Sequence, residues 1–140
     1  MAGDLSVLIR LHKHELDEKQ KELKELYDRM EQLEEKQQQL QEAMEREKRA
    51  VEESGDDVHF TYAGFRRKAD LERAALAKDM QKLEEKIFKT RDEMLDIFGE
   101  MKRYDIAQEL RLRLEADERR LAETKSLDEI ALETFRRNAE

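Results

Sequence analysis

The sequence predicts an all-α protein, a two-helix antiparallel coiled-coil hairpin with a protruding C-terminal helix. Three observations lead there. Charged residues make up 46% of the 140 residues and hydrophobic ones 38%, with a mean hydropathy of −1.03, which is too polar for a compact globular core. There is no Pro and only four Gly. Long helices need that composition, because an interior Pro costs about 3 kcal/mol and an interior Gly about 1. Apolar residues recur in alternating steps of four and three, the 3.5-residue average of a coiled-coil seam. Disorder is the rival for so charged a chain, but disordered segments have no reason to keep a phase.

The chain reads as one coiled-coil domain, residues 1–140, in three parts. The first is a helix over 4–52, with Asp4 as a suitable N-cap. Its seam has one set of positions at Ala2, Ile9, Leu16, Leu23, Met30, Gln37, Met44 and Val51. The other set is Leu5, His12, Lys19, Leu26, Leu33, Leu40 and Glu47. The polar seam residues His12, Lys19 and Gln37 either fix register or reflect a loosely packed coil. Met at several seam positions makes the seam adaptable.

The second part is a turn over 53–59. Glu52-Glu53-Ser54-Gly55-Asp56-Asp57 combines a Gly suited to a helix C-cap with Asp residues suited to the next N-cap. So short a connection makes the two helices antiparallel neighbours.

The third part is a helix over 60–136. Phe60, Tyr62 and Phe65 open it, beside Gly64. Its seam runs through Leu76, Met80, Leu83, Ile87, Met94, Ile97, Met101 and Tyr104, with Thr90 as a polar interruption. Gly99 inside it offers a close approach or a weak point. With the turn centred on Asp56, residues i and 112 − i lie roughly opposite, which puts Leu5 against about Ala107. After Tyr104 the apolar residues Ile106, Ala107, Leu110, Leu112, Leu114 and Leu121 fall out of step. The partner helix is therefore expected to end near Ala107. About 30 residues would project beyond it, on the order of 45 Å of helix. Leu110, Leu114, Leu121, Leu127, Ile130 and Phe135 on that extension suit a partner protein, a frayed tail or a homodimer contact.

Enzyme chemistry is not expected. No paired acid and base occupies a sheltered site. His12 and His14 are two apart on a helix and point to nearly opposite sides, so they cannot chelate. Cys is absent, which leaves no disulfide, thiolate nucleophile or Cys-type zinc site and fits a reducing cytoplasm. There is no phosphate-cradling Gly loop. No cofactor and no metal are expected. The net charge of −8 argues against nucleic acid despite Arg66, Arg67 and Lys68. No apolar run approaches a membrane span and no signal-peptide segment opens the chain.

What remains is recognition by surface. The aromatics Phe60, Tyr62 and Phe65 form either a local core or a docking patch. The segment 127–137 reads as an amphipathic helix for a partner groove, with Ser126 as its cap and Glu129 completing a capping box.

Three stretches then resemble the FliJ family of alphaproteobacterial flagellar proteins. They are Leu8-Ile9-Arg10-Leu11-His12-Lys13 with Leu16-Asp17-Glu18-Lys19, Phe98-Gly99-Glu100-Met101-Lys102-Arg103-Tyr104-Asp105-Ile106-Ala107, and Leu127-Asp128-Glu129-Ile130-Ala131-Leu132 with Phe135-Arg136-Arg137. They are spread over nearly the whole chain, in matching order and spacing. The segment between Glu52 and Val58 matches no family motif. The resemblance implies a non-enzymatic, monomeric stalk of the flagellar type III export apparatus, similar to the central stalk of rotary ATP synthases. Such a stalk inserts into the ring of the export ATPase, links it to the membrane export gate, and escorts export chaperones. It is cytoplasmic and peripheral at the inner-membrane flagellar base. Carried onto this chain, the ring-binding residues would be Ile9, His12, Leu16, Tyr104, Ile106, Leu110, Leu127, Asp128, Ile130, Ala131, Phe135 and Arg136. The gate-binding residues would be Leu40, Met44, Phe60, Tyr62 and Phe65. The equivalent stalk of virulence type III systems and a structural or scaffold coiled coil are the alternatives.

Overall fold

A computed structural model describes residues 4–54 and 59–139. Among them the chain forms two helices and no strand: α1 (Ser6–Glu53) and α2 (His59–Ala139). These bounds lie within three residues of the predicted ones. The expected turn residues Gly55, Asp56, Asp57 and Val58, and the seam position Ala2, fall outside the described residues. The N-cap is where it was expected: the Ser6 amide donates to Asp4 Oδ1 at 3.0 Å. That bond satisfies one of the orphan donors of the first turn.

The chain divides into two compact units, Leu16–Asp96 and Met1–Glu15 with Ile97–Glu140. Within Leu16–Asp96 the two helices meet along their seams. Leu26, Leu83 and Ile87 form a buried cluster, flanked by the half-buried Leu23, Met30 and Leu33. Val51, Ala69, Leu76 and Thr90 are buried as well. Thr90 therefore holds its seam position although it is polar. No described side chain is wholly enclosed, since each of two paired helices covers the other on one side only. The polar seam residue Lys19 donates to Glu93 on α2 at 2.6 Å. Further along, the seam positions Gln37 and Arg73 are both exposed. The helix pair is open there, in a groove of about 160 Å³ lined by Gln37, Gln38, Leu40, Gln41, Met44 and Arg73.

In the other unit the half-buried seam residues Ile9, Ile97, Met101 and Tyr104 are joined by polar pairs. His12 donates to Glu100, and Gln108 bonds both the Leu5 amide and Asp4. Two expectations are corrected here. The seam of α2 does not slip after Tyr104; it continues in phase through Gln108 and Arg111, both half-buried, with polar residues in place of apolar ones. The last described bonds between the helices, from Gln108 to Leu5 and Asp4, lie beside Ala107, where α1 was expected to run out. Gly99 is not a point of close approach, because a Cβ there would meet nothing within 4 Å.

The residue numbers of the bonded cross-helix pairs Asp4–Gln108, Leu5–Gln108, His12–Glu100 and Lys19–Glu93 total 112 or 113. The predicted register holds along this length.

Leu83 is 7% exposed at the centre of the main cluster, whereas Leu71 is 70% exposed. Leu83→Ala should lower the unfolding free energy by about 2–3 kcal/mol, with Leu71→Ala within about 0.5 of wild type. Urea denaturation followed by far-UV circular dichroism measures both. Equal effects of the two substitutions would contradict the packing described.

Candidate functional site

Two features stand out among the described residues. The first is the C-terminal part of α2. Beyond Arg111 every described residue except Ala116 is exposed. Leu112, Leu114, Leu121, Leu127, Ile130, Leu132 and Phe135 among them are 53–74% exposed. The helix is held by its own side chains. Glu109 accepts from Arg113 and Glu133 from Arg137, each at 3.0 Å and four residues apart, and Asp117 accepts from Arg120. Such pairs contribute about 0.2–0.5 kcal/mol each. Arg136 and Arg137 in the last turn complement the helix dipole.

Helical geometry sorts the apolar side chains into faces. Ile106, Leu110, Leu114, Leu121, Leu132 and Phe135 fall within roughly 80° of arc, centred about 120° from the line of Tyr104, Gln108 and Arg111. This stripe starts at Ile106, where α1 is still alongside, so it is a face of its own rather than the seam left bare. Leu127 and Ile130 lie on another side, and Phe135 does not share it. The reading of Ser126 as a helix cap is corrected, whereas the single helix expected over 60–136 is present: α2 is continuous through Ser126 to Ala139, because helix-forming neighbours on both sides outweigh a local capping pattern.

The second feature is the polar cluster around His12, which is 8% exposed. Its Nδ1 donates to the Leu8 carbonyl at 2.8 Å and its Nε2 to Glu100 Oε2 at 2.9 Å. The Tyr104 ring lies 5.3 Å away, tilted by 55°. Acceptors face both ring nitrogens, an arrangement that only the imidazolium satisfies in full. The Leu8 carbonyl and then the Glu100 carboxylate raise the His12 pKa above its ordinary value, with Glu15 adding to them. Near the start of α1 the Ser6 amide holds the Asp4 carboxyl below the usual range, and Arg111 adds to the effect. The Arg111 guanidinium donates through Nε to Glu115, while its Nη1 is buried without a partner. In the other unit, the mutual hydrogen bond of Lys19 and Glu93 raises the lysine and lowers the carboxyl.

The predicted ring-binding residues lie in the unit that holds both ends of the chain, except Leu16. Ile9 and Leu16 are half-buried, His12 is buried, and Tyr104 is half-buried against it. These four are engaged between the helices. Ile106, Leu110, Leu127, Asp128, Ile130, Ala131, Phe135 and Arg136 are exposed. The predicted gate-binding residues all lie in Leu16–Asp96. Leu40 and Met44 share the groove opened by Gln37 and Arg73. Tyr62 and Phe65 are half-buried, whereas Phe60 is 91% exposed. The three aromatics therefore do not form one patch.

Among the described residues no group of three or more His, Cys, Asp or Glu is placed to hold a metal ion, and no helix is long and apolar enough to cross a membrane. Comparisons with known protein families, with curated proteins and with solved structures return no match for this chain.

The raised pKa fixes the sign of a pH effect. Protonated His12 contributes stability that is fully present below the unfolded value of about 6.5 and is lost as pH rises through the higher folded value. Between about pH 6 and pH 8 the Tm of the wild-type chain should therefore fall further than that of His12→Asn. A constant offset between the two melting curves across that range would refute the assignment.

Proposed function

We propose that this chain is a non-enzymatic stalk of a bacterial type III protein export apparatus, flagellar in the leading case. It inserts its C-terminal helix into the ring of an export ATPase and connects that ring to a membrane export gate. The observation that carries the reading is the exposed apolar stripe of α2, which starts beside α1 and runs on beyond it. A helix that keeps such side chains in water has its binding partner outside the chain. The three family-like stretches of sequence agree with this reading, and two of them contain parts of the stripe: Ile106 in one, Leu132 and Phe135 in another.

The mechanism is conformational rather than chemical. A helix inside a ring of identical subunits touches each of them differently. Those differential contacts bias the states of the subunits, and they can do so only to the extent that the contacts differ. The groove at Leu40 and Met44, with the half-buried Tyr62 and Phe65, is assigned to the export gate. Escort of export chaperones belongs to the same reading, as does a cytoplasmic position at the inner-membrane base of the machine. A virulence system would use the same architecture. A dimerising scaffold is the second reading, since the same stripe fits a second copy of the chain.

The isolated protein should hydrolyse no ATP but stimulate a purified export ATPase severalfold. Removal of residues 127–140 should abolish the stimulation and leave the remaining helix content intact. Sedimentation equilibrium should give a monomer. Full stimulation by the truncated chain would remove the ring assignment, and a stable dimer that the truncation dissociates would favour the scaffold.

A further inference from the structure

Some cations of this acidic chain sit beside a carboxylate of their own helix, as Arg66 does with Asp70 and Arg137 with Glu133. Others do not, and the fold gathers four of these along one groove. Within Leu16–Asp96 a half-open groove of about 470 Å³ flanks the seam. Arg29 and Lys36 of α1 and Lys82 and Lys86 of α2 line it, with Asp79 and Leu33 between them. None of the four cations makes an ion pair with a described residue. Four cations against one carboxylate form a basic island on a chain of net charge −8.

Such an arrangement does nothing for the hairpin itself. Like charges brought together along paired helices repel, by a few tenths of a kcal/mol per pair. Acidic side chains at these positions on either helix would have relieved that repulsion, and acidic side chains are abundant elsewhere in the chain. A local cost without a structural return is the mark of a surface shaped by something it meets.

We propose that this groove docks an acidic peptide segment of a partner protein, with carboxylates on the four cations and an apolar side chain on Leu33. The chemistry of the groove selects this occupant. A single phosphate is bound best by converging backbone amides, and the amides of a continuous helix interior are already engaged. Arg29 and Lys36 stand two turns apart, about 10 Å along α1, which matches spaced carboxylates better than one compact anion. Nucleic acid would bring an unbroken row of phosphates against Asp79 and against the chain's overall negative charge. A peptide with a few carboxylates can place a neutral donor at Asp79 and still use the half-buried Leu33. The inference does not depend on the stalk reading, because it follows from the groove alone.

The test uses the full-length protein and a short fluorescein-labelled peptide carrying Glu residues around a central Leu, read by fluorescence anisotropy. The double variant Lys36→Gln/Lys82→Gln should bind about tenfold more weakly. A control, Lys48→Gln/Arg49→Gln, removes two exposed cations elsewhere on α1 and should change binding less than about twofold. The groove variant should melt at the same temperature as wild type or higher, because repulsion has been relieved. Replacing the peptide's Glu by Gln should abolish binding. The proposal is overturned if wild type does not bind the peptide or if the control loses as much affinity as the groove variant. It is also overturned if the groove variant melts lower, or if an RNA oligonucleotide or tripolyphosphate displaces the peptide at lower concentration than unlabelled peptide does.

Discussion

The antiparallel register of α1 and α2 is the constraint on which the remaining features rest. Once Lys19 stands opposite Glu93 and His12 opposite Glu100, every other position on α1 has its neighbour on α2 assigned. A helix of 48 residues paired in that register with one of 81 residues must run out well before the longer one ends. Apolar packing alone would hold this register weakly, because a seam of Leu, Met and Ile can slide by a heptad and still bury similar area. The polar seam residues resist sliding: a slip of one heptad lets one of them keep a carboxylate, Lys19 meeting Glu100 or His12 meeting Glu93, but sets the other against Ala107 or Lys86, so one charge-assisted bond is lost in either direction. His12 and Lys19 therefore act as register pins, and Gln37, which is exposed, does not.

Much of the fold was legible in the sequence because a coiled coil writes its geometry as a period. Both seams, both helices and the opposing positions followed from steps of three and four. The misreadings came where period and polarity part company. Gln108 and Arg111 occupy seam positions, but a search for apolar residues passes over them, so the seam seemed to stop at Tyr104. Arg73 was missed for the same reason, and with it the groove at Leu40 and Met44. The three aromatics at the start of α2 were grouped by proximity in sequence. Steps of two and then three cannot share one helical face; Tyr62 and Phe65 can, and those two are the half-buried pair. Ser126 carried a valid capping pattern with no helix start to cap. The basic groove had no signature along either helix alone, because Arg29 and Lys36 meet Lys82 and Lys86 only after the chain has turned back on itself.

The apolar residues past Tyr104 admit two explanations, and the structure distinguishes them. If they were seam residues without a partner, they would continue the line of Met101 and Tyr104 and begin where α1 ends. They do neither. Ile106 and Leu110 are exposed at a level where Gln108 still bonds to Leu5, and they point to a different side of the same helix. For about one turn α2 therefore carries two distinct surfaces at once, a polar one committed to α1 and an apolar one that α1 does not touch. A tail that is merely left over has no reason to begin before its partner is exhausted. The binding face proposed for this stripe would, because the stretch of α2 braced by α1 would give an incoming partner an ordered place to start, with less conformational entropy lost on binding.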